Sequence, residues 1–392
     1  SHLTIRSLQM LQYNYPTTIL FGQGSLIEFA NRLKAMEHRK VCIVTDRTIV
    51  EHGIAERVTS LLAEAKIDYE VFAEVHPNPV EEDVERGLEA FRAAGCDALI
   101  GLGGGSPLDV AKVIKILTNN PPPLAQYDDA RGGDRLIRGP MPPLYAIPTT
   151  AGTGSEVGRS GVIIIRETGR KTIFFHPSLM PNIAVLEPEL TAGLPPHLTA
   201  ATGMDAFVHC LEAYFVNMFH PMADGIALQG MELIVTWLPE VCRNGGNLVG
   251  RERMQIASAM GATAFQKGLG MVHSMAHPLS SLYGMHHGLA NALLLPASMR
   301  FIENASLNEE QKNKIMRVRR IFAESGIDAA SLADCCAVFC NTIGITLGLS
   351  RHGVPKGDVD KISDEAMKDP CHASNICPVS VNDFKEVLAA SM

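Results

Sequence analysis

Apolar and polar positions in the first half of the chain alternate between two spacings. Short β-branched or fully apolar runs at residues 17–21, 40–45, 68–72, 98–101 and from Leu144 predict strands. Between them, apolar positions recur at helical spacing: a helix opens at Ser25, and others are predicted over 50–65 and 80–94. Residues 161–165 and 171–175 read as a hairpin, and the Pro- and Gly-rich stretch 120–143 as a surface excursion. Strands alternating with helices imply βαβ units and a parallel sheet, whose ligand crevice lies beyond the carboxyl ends of its strands. After the proline-broken stretch 188–196 strand signals nearly vanish, and 200–215, 223–237, 251–266, 312–325 and 331–344 all carry helical spacing. The expected fold is an α/β domain with a parallel sheet, residues 1–192, followed by an all-α domain, residues 193–392.

Composition narrows the class. With 392 residues and 46% hydrophobic content the chain can bury a large core, consistent with two domains. A formal charge of −8 argues against a nucleic-acid or anionic-membrane surface. No apolar run reaches the ~18 residues of a membrane span, and the start lacks the basic and apolar regions of a signal peptide, so the expectation is cytoplasmic. Ser1-His2 reads as the remnant of a cleaved tag. Nine cysteines, with no CxxC, do not make a disulfide scaffold; Cys335, Cys336 and Cys340 fall in an apolar helical pattern as small core residues, and Cys371 and Cys377 receive no role.

The chemistry concentrates in residues 268–296, GLGMVHSMAHPLSSLYGMHHGLANALLLP, with His273, His277, His286 and His287 among apolar residues and glycines. Imidazole is costly to bury without a partner, and core filling does not explain four in one apolar segment. Upstream, TGMDAFVHCLE (202–212) sets Asp205 and His209 at i and i+4 on one face of an otherwise apolar helix. Asp205, His209, His273 and His287 then make an N₃O set suited to Fe²⁺, with Zn²⁺ or another divalent ion as alternatives. His277, one turn after His273, is assigned to proton transfer or substrate positioning, against a purely structural role. Lys267, in the segment AFQKGLG, is either a solvated charge or the anchor for a substrate carboxylate.

In the first half, GLGGGSPLDVAK (101–112) sits at a strand end. Gly103, Gly104 and Gly105 let a ligand approach the backbone, and Ser106 can cap a helix begun by Pro107, whose amides then face an anion; the bland alternative is a capped glycine turn. The standard GxGxxG fingerprint is absent. LYAIPTTAGTGSEV (144–157) repeats the theme, with Thr149, Thr150, Thr153 and Ser155 as donors. Asp109 and Lys171 complete the cofactor-binding set. Asp46, ending the strand over 40–45, can accept from adenosine ribose hydroxyls and so favour NAD over its 2′-phosphorylated form, or can simply cap the following helix.

Five ordered segments, GGGSPLDVAK (103–112), PTTAGTGSEV (148–157), ATGMDAFVHCLEAY (201–214), HSMAHPL (273–279) and HHGLANALLLP (286–296), resemble the iron-containing, or group III, alcohol dehydrogenases over almost the whole chain. The spacing FQKGLGMVH and the later HHG are more specifically similar to the 4-hydroxybutyrate dehydrogenase branch. The resemblance implies the two-domain fold reached above, with residues 1–192 as an α/β dinucleotide-binding domain and 193–392 as an all-α metal-binding and catalytic domain, the same four metal ligands, NAD, and His277 near the substrate but off the metal. It also implies reversible hydride transfer between a primary alcohol and its aldehyde, in a homodimer or higher homo-oligomer with small-molecule partners only. Asn375-Ile376-Cys377 departs from the Asn-Pro-Arg common in the family. Two rivals remain: a dehydroquinate-synthase-like lyase, and a general short-chain alcohol dehydrogenase without carboxylate preference.

Overall fold

The structure is a computed structural model that describes residues 12–392; Ser1-His2 lies outside the described residues. Its first half is built on six parallel strands: β1 (Thr18–Phe21), β2 (Val41–Val44), β3 (Tyr69–Phe72), β4 (Ala98–Gly103), β5 (Leu144–Pro148) and, after a separate antiparallel hairpin of β6 (Ser160–Ile164) and β7 (Lys171–Phe175), β8 (Ile183–Leu186). The sheet order is β1-β8-β5-β4-β2-β3. The helices between are α1 (Ser25–Met36), α2 (Arg47–Glu51), α3 (Ile54–Glu64), α4 (Glu81–Ala93) and α5 (Gly105–Leu117).

Strands β2 and β4 are buried along their whole length, as apolar runs covered on both faces must be. Alternate residues serve opposite layers: Cys42, Val44 and Leu99 pack towards α4 and α5, while Val41, Ile43, Ala98 and Ile100 pack towards α1 and α3. The chain runs from β2 outwards to β3, then returns to place β4 on the other side of β2. That reversal opens a crevice beyond their carboxyl ends, where Asp46 and the glycines after β4 lie.

Three sequence expectations need correction. The single helix over 50–65 is two, because Gly53 takes φ 76° between α2 and α3. The stretch 120–143 is not purely a surface excursion: Leu124, Ala125, Tyr127 and Ile137 are buried in the layer beneath α5. Ser106 does not cap α5. The helix starts at Gly105 with Gly104 as N-cap and no side-chain cap bond, while the Ser106 hydroxyl donates to the Pro77 carbonyl at 2.6 Å.

The second half is helical: α6 (Pro196–Phe215), α7 (Pro221–Arg243), α8 (Leu248–Ala264), α9 (Met271–Tyr283), α10 (His287–Asn304), α11 (Glu309–Glu324), α12 (Leu332–Thr342), α13 (Val359–Lys368) and α14 (Val381–Ala390). Every residue of α6 from Thr199 to Phe215 is buried, and α7, α8 and α10 pack around it. Cys335, Cys336 and Cys340 are buried in the same core. Among the described residues no helix is long and apolar enough to cross a membrane.

Candidate active site

An all-buried helix is an expensive place for ionisable groups, yet α6 carries Asp205, His209 and Glu212 along one stripe. The helices packed on it answer with the same one-turn spacing: His273 and His277 on α9, His287 and Asn291 on α10. Together they bring one ligand atom each from Asp205, His209, His273 and His287 to within 4.8 Å of one another. The Nε2 atoms of His209, His273 and His287 lie 3.4, 3.6 and 3.2 Å from Asp205 Oδ1. Tetrahedral ligands with metal bonds of ~2.0–2.2 Å stand roughly 3.3–3.6 Å apart, so the spacing suits a small divalent cation. His273 Nε2 is buried without a hydrogen-bond partner among the described residues, as a nitrogen reserved for a cation would be.

The cluster is braced from behind. Glu212 Oε1 meets His273 Nδ1 at 2.6 Å, which leaves Nε2 facing Asp205. The same carboxylate accepts from the backbone amides of Val272 and His273 at the start of α9, so one side chain fixes both helix and ring. Asn291 Nδ2 donates to Asp205 Oδ1 at 2.9 Å. Asn375, in the segment that departs from the family pattern, accepts from the Met271 amide at 3.0 Å and supports the same helix start.

Electrostatics follow from burial and these partners. Burial works to raise the Asp205 pKa, but the imidazoles of His209, His287 and His273 outweigh it and hold the carboxyl well below its ordinary value. Burial pushes His209 down to about 3 despite Asp205, so that ring is neutral at physiological pH. His273 is raised to about 9: burial opposes this, but the nearby carboxylates of Asp205 and Glu212, the latter hydrogen-bonded to Nδ1, prevail. A cation at Nε2 would have to displace that proton.

His277 stands beside the cluster, its ring stacked on His287 at 5.4 Å between centroids. Its Nδ1 is held by Asp369 Oδ2 at 2.6 Å, and its side chain keeps 44% exposure, so the ring remains accessible. Asp369 also accepts from the Ser274 hydroxyl and the Cys371 amide. His286 is not part of the cluster; it is exposed and caps α10 through Nδ1, which accepts from the Gly288 amide.

The crevice loops meet this cluster edge-on. The loop after β5 abuts α6 so closely that a Cβ on Gly152 would sit 2.8 Å from the Thr202 carbonyl. At the end of β4, Gly103 takes φ 138° and a Cβ there would lie 2.9 Å from Pro107, so both backbone and space demand glycine. With no side chain capping α5, its first amides are open to an anion. Gly105 faces Thr153, whose hydroxyl accepts from the Ser155 amide; Thr149 is buried with its amide bonded to the Gly103 carbonyl, and Thr150 is half-exposed. Asp109 accepts from the Ser155 hydroxyl at 2.7 Å and the Val162 amide at 3.1 Å, tying α5 to both following segments. Lys171 is exposed at the start of β7, close enough for its charge to act on Asp109. Asp46 caps α2: its Oδ1 accepts from the Ile49 amide at 2.9 Å.

Lys267 requires a correction. Its side chain is fully buried, and its ammonium bonds to Asp224 at 2.6 Å and the Tyr214 carbonyl at 3.2 Å. Burial lowers its pKa to about 8 against the pull of Asp224. It is a structural cation, neither solvated nor free to meet a substrate. Sequence reasoning also passed over residues the geometry makes prominent: Glu212, Asp369 and Asn291 around the histidines, and Lys112, whose buried ammonium joins the Ser155 and Ser160 carbonyls at 2.7 and 2.9 Å. The i+7 position of Glu212 on the Asp205 stripe was a signal available for the first of these.

A nucleotide-type crevice abutting a buried N₃O donor set is the arrangement of a metal-dependent dehydrogenase. The chain belongs to the iron-containing alcohol dehydrogenase family: residues 16–188 match the family described as iron-containing alcohol dehydrogenase, and residues 199–392 the Fe-containing alcohol dehydrogenase family, C-terminal. It is 40% identical over 377 residues to 4-hydroxybutyrate dehydrogenase of Cupriavidus necator, spanning 95% of this chain and 97% of that one. Its fold superposes on the crystal structure of a 1,3-propanediol oxidoreductase with a TM-score of 0.90 and 33% identity, over 98% of this chain and 100% of the other. It superposes on a sulfoacetaldehyde reductase from Bifidobacterium kashiwanohense, solved in complex with NAD⁺, with a TM-score of 0.87 and 27% identity, covering 98% and 99%. The family uses NAD and iron, and the four-residue donor set fits the latter.

Proposed function

We propose that the chain catalyses reversible, NAD-linked hydride transfer between a primary alcohol and its aldehyde. The alcohol is a short ω-hydroxy acid such as 4-hydroxybutyrate, and the metal is Fe²⁺ held by Asp205, His209, His273 and His287. The observation that carries this reading is the convergence of those four ligand atoms, from three helices, beside the crevice loops. The identity to 4-hydroxybutyrate dehydrogenase supports the substrate class. Residues 1–192 would carry the cofactor and 193–392 the metal, in a cytoplasmic homodimer or higher homo-oligomer. Exposed apolar side chains at Tyr15, Met218, Phe219 and Met222 support self-association.

Bound by Asp205, His209, His273 and His287, a divalent ion would supply Lewis acidity to the substrate oxygen. The rest falls to the chain's own groups. The open amides of α5 and the hydroxyls of Thr149, Thr150 and Thr153 bind and orient the dinucleotide, with Asp109 and Lys171 at the edge of the same loops. Oxidation removes the hydroxyl proton and, from the carbon that bears it, a hydride. With Nδ1 anchored on Asp369, His277 presents Nε2 as the atom that takes up or returns the proton, or holds the substrate in register. Glu212 keeps His273 aimed while Asp205 balances the charge of the site.

The test joins metal analysis to turnover. One divalent ion per chain should be found, and NADH should form with alcohols and ω-hydroxy acids. Stripping the ion with a chelator should abolish turnover while NAD binding, followed by fluorescence, stays within about threefold. Full activity in a metal-free sample would sink the proposal.

A further inference from the structure

With Lys267 withdrawn to Asp224, a hydroxy acid needs another cation, and one stands in a cavity beside the histidine cluster. This cavity, of about 520 Å³, opens where the two halves of the chain meet. The β6–β7 hairpin forms one wall, through Ser160, Ile173 and Phe175; the end of α8 and Phe265 form the other. Phe265 links it to the cluster, for its ring lies 4.9 Å from that of His209. Arg159, just before β6, lines the cavity with its guanidinium carbon 5.3 Å from the Phe175 ring centroid. Among the described residues it forms no ion pair, and its neighbour on the wall, the carboxylate of Asp129, does not reach it.

We infer that Arg159 is the specificity-determining cation of this site, pairing with the carboxylate of a short ω-hydroxy acid whose hydroxyl end lies at the histidine cluster. This rests on the dehydrogenase reading above and names the far end of its substrate. A guanidinium held over an aromatic face, with no side-chain partner among the described residues, keeps its N–H fork for two-point carboxylate recognition. Apolar side chains lining the same cavity, Val157 and Ile173 among them, suit the intervening methylenes. A carboxylate gains most here because the guanidinium has no side-chain partner among the described residues, whereas an ammonium already committed to Asp224 would have to give that bond up.

The experiment compares wild type with Arg159→Met and Arg159→Lys in two readouts. The first is kcat/KM for 4-hydroxybutyrate against 1-butanol with NAD. The second, independent of turnover, is the dissociation constant of butyrate by calorimetry. Arg159→Met should lower kcat/KM for the acid and weaken butyrate by roughly 10- to 100-fold, leaving butanol within about threefold; Arg159→Lys should recover part of the loss. Equal effects on acid and alcohol, an unchanged acid-to-butanol ratio in Arg159→Met, or no butyrate binding to wild type would overturn the assignment. Butyrate binding that depends on Arg159, in a protein that oxidises no alcohol, would keep the anchor and defeat the dehydrogenase reading instead.

Discussion

At the carboxyl edge of the sheet the groups offered to a ligand are main-chain amides, glycines and short hydroxyls; on α6, α9 and α10 they are imidazoles and a carboxylate. The first region contributes shape and a helix end, so most of its side chains are replaceable while an added Cβ is not. The second contributes donor atoms from rigid, buried helices. There a change of one functional group is costly, while the backbone is helix, interrupted only by Pro278 in α9 and Pro296 in α10. The two regions meet at Gly152 and Thr202, which in the proposed function would let charge held on helices be addressed by a cofactor held on loops.

The largest effect that would separate the two regions is expected at Glu212. Glu212→Gln removes the carboxylate that aims His273 and raises its pKa, and should weaken the divalent ion by about 10- to 100-fold with NAD affinity unchanged. The pH dependence carries a sign. Below about 9, where His273 binds a proton in the metal-free fold, the ion must displace that proton, so wild-type affinity falls as pH is lowered from 9 towards 7, by at most ~10-fold per unit. His209, held down to about 3, does not add to that slope. In Glu212→Gln the slope should flatten over the same range, because the His273 pKa drops. Metal titrations at several pH values check this, and an equal slope in both proteins would show that His273 is not the competing group.

A smaller effect of opposite selectivity belongs to Gly103. With φ at 138° and Pro107 only 2.9 Å from where a Cβ would sit, Gly103→Ala must shift the β4–α5 turn. It should cost ~1–3 kcal/mol of stability and weaken NAD, while the bound metal stays at wild-type stoichiometry. Thermal unfolding, NAD titration and metal analysis on one preparation decide it. If metal were lost together with NAD affinity, the two regions would be coupled more tightly than their separate construction implies.

The same contrast explains what could be read before the fold was known. The α/β half announces itself because β2 and β4 are continuous apolar runs and glycines end β4, and the four histidine and aspartate positions because ionisable residues in apolar helices demand a reason. Beyond Gly344, α13 and α14 gave no distinctive pattern, and neither did β8, a four-residue run whose place between β1 and β5 depends on pairing partners far away in sequence. Lys267 failed for a related reason. Its partner Asp224 lies 43 positions away, and a lysine beside glycines looks free until the helix that pairs it is in place. Arg159 was invisible because its meaning lies in the cavity it shares with Phe265, not in any motif.

The smallest expected effect concerns Asp46, where cap and cofactor roles coincide. The structure gives one oxygen to the Ile49 amide and sets the residue at the switch between β2 and β4, so the other oxygen remains for a ribose hydroxyl. Loss of a cap to glycine costs only a few tenths of a kcal/mol, because glycine itself is tolerated at that position. Loss of a carboxylate that repels a 2′-phosphate changes cofactor choice by ~1–2 kcal/mol, or about 5- to 30-fold. Asp46→Gly therefore separates the roles: the melting temperature should barely move while the NAD-to-NADP ratio of kcat/KM falls several-fold. A ratio that stays put would leave Asp46 as a helix cap alone, and would place the discrimination with the backbone of the crevice, a region otherwise indifferent to side-chain charge.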